Sequence, residues 1–213
     1  MRLPDFIALI AEELDVIVQR DPSIRSRAEA ALHPTIPAVL GHRLANRLHR
    51  RGWRKSARLL SNLARLLSGG VEIHPGAQIG RRFFVDHGCG VVVGETAVIG
   101  DDVTLYHQVT LGVNSWRSPR VRGPLQRRHP RLGNGVTVGA NATLVGPIDI
   151  GDNTVIGAQA LVTSDVPRDA IVYAPRAVVR ERHPDDLVEQ ASELVLRRQT
   201  ALRGVGREAE PGW

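Results

Sequence analysis

Two stretches of this chain hold the side chains able to move protons or grip charged groups. The first runs from Glu72-Ile73-His74-Pro75 through Asp86-His87 to Gly94-Glu95-Thr96-Ala97-Val98, and the second is Arg128-His129-Pro130. Imidazole titrates near neutrality, so a histidine among carboxylates is a candidate general base. Arginine presents a planar fork of donors that suits carboxylate or phosphate. Cys89, the only cysteine, lies in Asp86-His87-Gly88-Cys89-Gly90 and raises a Cys–His nucleophile. Neighbouring strand residues point to opposite faces, so the simpler reading is a small buried hydrophobe. A lone cysteine excludes an intrachain disulfide, and a cysteine-based zinc site would need several chains, so no metal is expected. The other histidines read as background: His74 and His107 as surface or satisfied core residues, and His33, His42, His49 and His183 as solvated.

The elements that must position these groups show in the spacing of the aliphatic residues. Leu132, Val138, Leu144, Ile150, Ile156 and Val162 recur at every sixth position, and the same period holds at Ile73, Ile79 and Val85 and, after a two-residue slip, at Val93, Ile99, Leu105 and Leu111. A strand alternates with period two and a helix with about 3.6, so a sustained period of six means a short strand and a turn repeated in register. Stacked units of this kind bury together what none could bury alone. The spacing therefore predicts a solenoid from about Val71 to about Thr163, with a narrow aliphatic interior.

Residues 113–131 interrupt the period with six arginines, three prolines and Trp116, which reads as a loop extruded from one coil. Residues 1–70 read as helical: an apolar stretch from Phe6 to Val18, a break at Asp21-Pro22 with Asp21 as N-cap before the proline, and a single helical stretch from about Ile36 to Leu67. That stretch carries Leu40, Leu44, Leu48, Leu59, Leu60, Leu63, Leu66 and Leu67 on one face and arginines on the other. Such helices would cover an open coil end and leave a face for partner subunits. Residues 167–213 form an extension, with an amphipathic helix predicted over Asp185–Arg203. The expected organisation is thus 1–70, 71–166 and 167–213.

Composition narrows the function. The 42% hydrophobic content suits a globular core, and the apolar runs fall far short of the roughly 20 residues that span a bilayer. The acidic residues around the first apolar stretch are unlike a signal peptide, so a soluble cytoplasmic protein without membrane attachment is expected. The net charge of +6 is almost wholly arginine, but the arginines are scattered and aromatic content is only 4%, which argues against nucleic acid. A basic balance also suits a small ligand carrying several phosphates.

The stretch Val71-Glu72-Ile73-His74-Pro75-Gly76-Ala77-Gln78-Ile79-Gly80-Arg81-Arg82-Phe83-Phe84-Val85-Asp86-His87-Gly88 resembles the core signature of the serine O-acetyltransferases, short-form bacterial type. Gly-Glu-Thr-Ala at 94–97, Val-Thr-Leu-Gly at 109–112 and Arg-His-Pro at 128–130 follow in the family's order, and the resemblance reaches from Asp21-Pro22 to Ala174-Pro175-Arg176. It implies a left-handed parallel β-helix, a hexapeptide-repeat solenoid, with an α-helical N-terminal domain and a C-terminal helical tail.

The resemblance also implies transfer of acetyl from acetyl-CoA to the hydroxyl of L-serine for cysteine biosynthesis. His87 matches the general base and Glu72 the acidic partner that orients it; their separation of fifteen positions approaches one coil of three six-residue sides. Asp21 and Asp86 would hold the substrate ammonium, Arg128 the carboxylate, and His129 would contact the substrate near the reacting hydroxyl. Gly112, Ala140 and Ala158 match the pantetheine groove, and Arg176 is a candidate for the cofactor phosphates. A homotrimer or a dimer of trimers is implied. The ending Gly212-Trp213 departs from the isoleucine of members that dock into cysteine synthase, so that complex is not expected. The longer 113–127 segment keeps a different hydroxyl acceptor open, such as another amino acid, a sugar or an antibiotic, and a non-catalytic binding solenoid is the remaining alternative.

Overall fold

Inward aliphatic residues at every sixth position shape a computed structural model of the protein, which describes residues 3–114 and 127–180. The middle of the interrupting loop and the helix predicted over Asp185–Arg203 lie outside the described residues. After four helices the chain forms strands of two or three residues that visit three parallel sheets in turn. Face A holds β1 (Glu72–Ile73), β4 (Val92–Val93), β7 (Thr110–Gly112), β10 (Thr143–Val145) and β13 (Leu161–Val162). Face B holds β2 (Gln78–Ile79), β5 (Val98–Ile99), β8 (Arg131–Leu132) and β11 (Asp149–Ile150). Face C holds β3 (Phe84–Val85), β6 (Thr104–Leu105), β9 (Thr137–Val138), β12 (Val155–Ile156) and β14 (Ile171–Val172).

Each strand pairs with the strand one coil on, in a register that places Ile73 beside Val93, Val93 beside Leu111 and Leu111 beside Leu144. The residues of the six-residue period are the core: Leu132, Val138, Leu144, Ile150, Ile156 and Val162 are all buried. The 113–131 interruption sits at the A-to-B corner of the third coil, between β7 and β8.

The first coil has no coil beneath it to donate hydrogen bonds to its carbonyls, and an unpaired sheet edge costs stability or invites aggregation. Helices α3 (Ile36–Arg50) and α4 (Arg54–Leu67) solve this with side-chain donors. Arg43 donates to the carbonyls of Ile79 and Gly80 (2.5 and 2.6 Å), Asn46 to those of Pro75 and Ala77 (both 2.9 Å), and Ser61 to that of Ile73 (2.7 Å). The Thr35 hydroxyl donates to Val85 O at 3.0 Å. It stands at the start of α3 but makes no side-chain cap there. Helix α1 (Leu3–Arg20) is held by buried Glu13, which accepts from Arg43 at 2.7 Å, and by Arg20, which donates to Thr104 Oγ1 and Asp102 Oδ1 (2.8 and 3.1 Å).

The helical region departs from the sequence reading in three ways. The stretch expected to run unbroken from Ile36 to Leu67 is two antiparallel-packed helices, broken at Arg51-Gly52-Trp53 where Gly52 adopts φ +83°. Small residues form the buried face of α4, namely Ala57, Ser61 and Ala64, whereas Leu59, Leu63, Leu66 and Leu67 point outward and are exposed. Asp21 does not cap a helix, because the short α2 (Arg27–Ala30) is capped by Ser26. The histidines taken as solvated also divide, for His33 and His42 are buried. Cys89 is exposed rather than buried.

The chain divides into two compact units, Met1–Pro175 and Arg176–Trp213. Among the described residues no helix is long and apolar enough to cross a membrane.

Candidate active site

Two clusters of functional side chains lie on different corners of the coil. The first is at the C-to-A corner of the lowest coil. Asp86 is still in the ladder, its N–H donating to Leu105 O at 2.9 Å, and the next residue, His87, takes φ +59° and turns its side chain outward with 75% exposed. Its Nε2 is 3.8 Å from Asp86 Oδ1. His107 occupies the same corner one coil up, edge-on to His87 with ring centroids 6.0 Å apart.

Helix α1 delivers Asp21 to this corner. Arg20 fastens the helix end to face C, and the chain then turns on Asp21, whose Oδ1 accepts from Ser23 N and Oγ at 2.9 and 2.6 Å. Those two hydrogen bonds, followed by the charges of His33 and His87, hold its carboxyl below the usual aspartate range. Oδ2 lies 3.9 Å from His33 Nε2. His33 is a residue that reading the sequence missed as part of the site. Its Nδ1 is 2.8 Å from Thr35 Oγ1 and accepts from the Thr35 N–H at 3.4 Å, while the Thr35 hydroxyl also meets Val85 O at 3.0 Å. Burial pushes the imidazole pKa down; Asp21 and Asp86 oppose this and His87 adds to it.

Glu72, expected beside His87, is instead paired with Arg65 at 3.0 Å. Its backbone is close to the corner, since Glu72 N–H donates to Val91 O at 2.8 Å, but α4 runs along this edge and offers a cation that captures the carboxylate.

The second cluster lies at the A-to-B corner, where residues 127–130 return from the loop and settle over Gly94-Glu95-Thr96. Thr96 organises it. Its hydroxyl accepts from the N–H groups of Arg128 and His129 (2.8 and 3.2 Å) and is 2.8 Å from His129 Nδ1. Thr96 N–H also donates to Nδ1 at 3.2 Å. A backbone amide can only donate, so Nδ1 is an acceptor and the neutral ring carries its proton on Nε2. Burial, then the charge of Arg128, pushes the His129 pKa down against the pull of Glu95, which favours this neutral N–H donor. Arg128 Nη2 donates to Glu95 Oε2 at 2.7 Å.

Thus the structure brings Asp21, Asp86 and His87 to one corner and Arg128 with His129 to another, separated by face A within one chain. The cofactor candidates divide the same way. Gly112 ends β7 at the A-to-B corner, while Ala140 and Ala158 follow β9 and β12 at the C-to-A corner. Ala158 is an exposed small residue whose N–H and C=O make no backbone hydrogen bond among the described residues, which suits an amide-bearing arm laid along that corner. Arg176 is exposed and opens the second compact unit, outside the one that holds the other candidates. Among the described residues no group of three or more His, Cys, Asp or Glu could hold a metal ion.

The six-residue parallel repeat agrees with a match of residues 129–164 to the family model described as bacterial transferase hexapeptide (six repeats). A serine acetyltransferase of Helicobacter pylori is 48% identical over 169 residues, covering 79% of this chain and 94% of that protein. The chain belongs to the serine acetyltransferase family. A structure of serine acetyltransferase isoform 3 from Entamoeba histolytica in complex with cysteine aligns with TM-score 0.76 and 33% identity over 87% of this chain, which spans 64% of that one. The Brucella abortus serine acetyltransferase in complex with coenzyme A aligns with TM-score 0.73 and 30% identity, covering 85% of this chain and 70% of that one.

Proposed function

We propose that this protein is a serine O-acetyltransferase that moves the acetyl group of acetyl-CoA onto the hydroxyl of L-serine, giving O-acetyl-L-serine for cysteine biosynthesis. The observation that carries the reading is the convergence of Asp21, Asp86 and exposed His87 on one corner in a chain of this family. The three-faced coil is read as a left-handed parallel β-helix, in keeping with the hexapeptide match.

A hydroxyl attacks poorly until its proton is removed, and His87 is the base for that proton, a role that typically contributes about 10²- to 10⁴-fold. Acetyl-CoA supplies the activated acyl group and a thiol leaving group. The serine oxygen forms its bond to the acetyl carbon as the carbon–sulfur bond breaks, and the proton held on His87 passes to the departing sulfur. Asp21 and Asp86 hold the ammonium, Arg128 the carboxylate, and the Nε2–H of His129 donates to an oxygen beside the reacting hydroxyl. Glu72 orients His87 once it leaves Arg65. Gly112, Ala140 and Ala158 line the cofactor arm, and a strongly basic chain is in keeping with a ligand that carries several phosphates.

Both sets of candidates split across the same two corners, which supports a homotrimer in which the A-to-B corner of one copy meets the C-to-A corner of the next. A dimer of trimers is the larger assembly this arrangement allows.

The test is thiol release from acetyl-CoA with L-serine, D-serine, L-homoserine, L-threonine, a simple sugar and no acceptor. Release with L-serine alone is expected, and release with another acceptor but little with L-serine overturns the substrate assignment. The Arg128–Glu95 pair gives a second reading its footing, because a guanidinium already holding a carboxylate is less available to the substrate. If Arg128→Ala leaves the acceptor KM unchanged, the amino-acid carboxylate role is wrong.

A further inference from the structure

Along the C-to-A corner, the residue that follows each inward position of face C is Asp86, Tyr106, Gly139, Gly157 and Tyr173, in rising order of coil. The third and fourth places require glycine, because a Cβ would fall 2.6 Å from Ala158 N at Gly139 and 2.8 Å from Val172 O at Gly157. Strand β14 is the edge of its sheet among the described residues, so the fifth place can carry a large ring. Tyr173 takes it. Val172 before it and Ala174 after it pack on the core, which fixes the backbone while the tyrosine itself stays 77% exposed. Among the described residues no other aromatic ring stacks on it.

Tyr173 stands four coils above Asp86-His87, and strands stack at about 4.8 Å, so the corner rises about 19 Å between them. An extended chain advances about 1.2 Å per bond, so the roughly thirteen bonds from the sulfur of coenzyme A to its first phosphorus cover about 16 Å. An arm whose thioester lies at His87 and which rises past Ala140 and Ala158 therefore brings its nucleotide end to the level of Tyr173. We propose that Tyr173 is the platform on which the adenine base of the acyl donor stacks. Every purine presents a π face, and an exposed phenol ring on a fixed backbone offers the matching one. The two ends of the donor are then held by different chemistry, the arm by backbone groups such as the open N–H and C=O of Ala158 and the base by stacking. The proposal rests on the reading of His87, Ala140 and Ala158 as one groove for acetyl-CoA.

The experiment compares wild type, Tyr173→Phe and Tyr173→Ala. Binding of coenzyme A is measured by calorimetry beside 4′-phosphopantetheine, which ends before the adenosine, while turnover, melting temperature and sedimentation are followed in parallel. Tyr173→Ala is expected to weaken coenzyme A about tenfold without changing 4′-phosphopantetheine, and Tyr173→Phe to stay near wild type. The KM for acetyl-CoA should rise by more than kcat falls. Unchanged coenzyme A binding in Tyr173→Ala overturns the platform, as does an equal loss for both ligands or a loss in Tyr173→Phe as large as that in Tyr173→Ala. Weaker binding accompanied by dissociation in sedimentation makes Tyr173 an interface residue and also overturns it. Turnover separates the two readings. Acetylation of L-serine with unaltered coenzyme A binding in Tyr173→Ala removes the platform alone, and the expected binding pattern without acetylation of L-serine keeps the platform and removes the acetyl transfer. A wild type that binds no coenzyme A removes both.

Discussion

His129 lies directly against Gly94: a Cβ on that glycine would fall 1.9 Å from the imidazole Cδ2 and Nε2. The corner of one coil is thus the seat of a ring carried by the next, and the absence of a side chain is what lets the ring occupy it. Gly94→Ala must displace the ring from its two Thr96 contacts. We expect kcat/KM to fall about 100-fold, the cost of an ångström-scale misplacement, with the parallel ladders intact by circular dichroism. Activity within a few-fold of wild type would show that the seated position of His129 is unimportant.

The Thr96 hydroxyl accepts from the N–H groups of Arg128 and His129 and meets His129 Nδ1, so its chemistry matters more than its shape. Thr96→Val is expected to lower kcat about tenfold or more and Thr96→Ser to stay near wild type. Nitrogen-15 shifts of the imidazole check the cause: the protonated nitrogen is Nε2 in wild type and stays there in the valine variant, where the Thr96 amide still donates to Nδ1, so the loss traces to the hydroxyl's own contacts.

Glu72 has a choice between Arg65 and His87. If it orients the base during turnover, Glu72→Gln lowers kcat and leaves the L-serine KM unchanged, while Arg65→Ala leaves kcat at or above the wild-type value. A fall in kcat for Arg65→Ala that matches Glu72→Gln would instead make the ion pair itself the functional unit.

The buried Glu13–Arg43 pair joins α1, α3 and the edge carbonyls of Ile79 and Gly80. Burial pushes the Glu13 pKa up while the Arg43 charge opposes it. Arg43→Met removes the cation and leaves both the carboxylate and the two carbonyls without their donor. A loss of about 3–5 kcal/mol in denaturant unfolding is expected, and the Glu13→Gln/Arg43→Met double variant should recover part of it.

Stability should also fall in mild acid. Burial holds His42 down to about 3 and His74 down to about 4, against an unfolded value near 6.5. The folded rings are neutral where the unfolded chain takes up protons. Their contribution is therefore complete above about pH 6.5 and is lost as pH falls toward the folded values, each adding a slope of up to about 1.4 kcal/mol per pH unit. The melting temperature should drop between pH 7 and 5, and His42→Leu should flatten that drop; an unaltered slope would assign the acid sensitivity elsewhere.

Much of the fold is legible in the sequence because a repeat is local. Each inward residue of the period, from Ile73 to Val162, is set by a six-residue unit that reads itself, and the register follows from stacking identical units. The helices were less legible. The leucines of α4 have the spacing of a core face, yet Ala57, Ser61 and Ala64 are buried, because close helix packing selects small residues and a hydrophobicity pattern cannot rank faces by approach distance.

What the sequence determined by itself is the coil and the grouping of Arg128 with His129, since each depends on residues within one or two turns of chain. What tertiary structure alone decided is which distant groups meet them. Asp21 reaches His33 and His87 only because Arg20 fastens α1 to Thr104 and Asp102, more than 80 residues on, and His129 reaches Thr96 only because one coil lies on another. The tautomer of His129, and the division of the site between two corners, follow from hydrogen bonds across those contacts. No spacing along the chain encodes them, because a hydrogen bond depends on distance in space and not on separation in sequence.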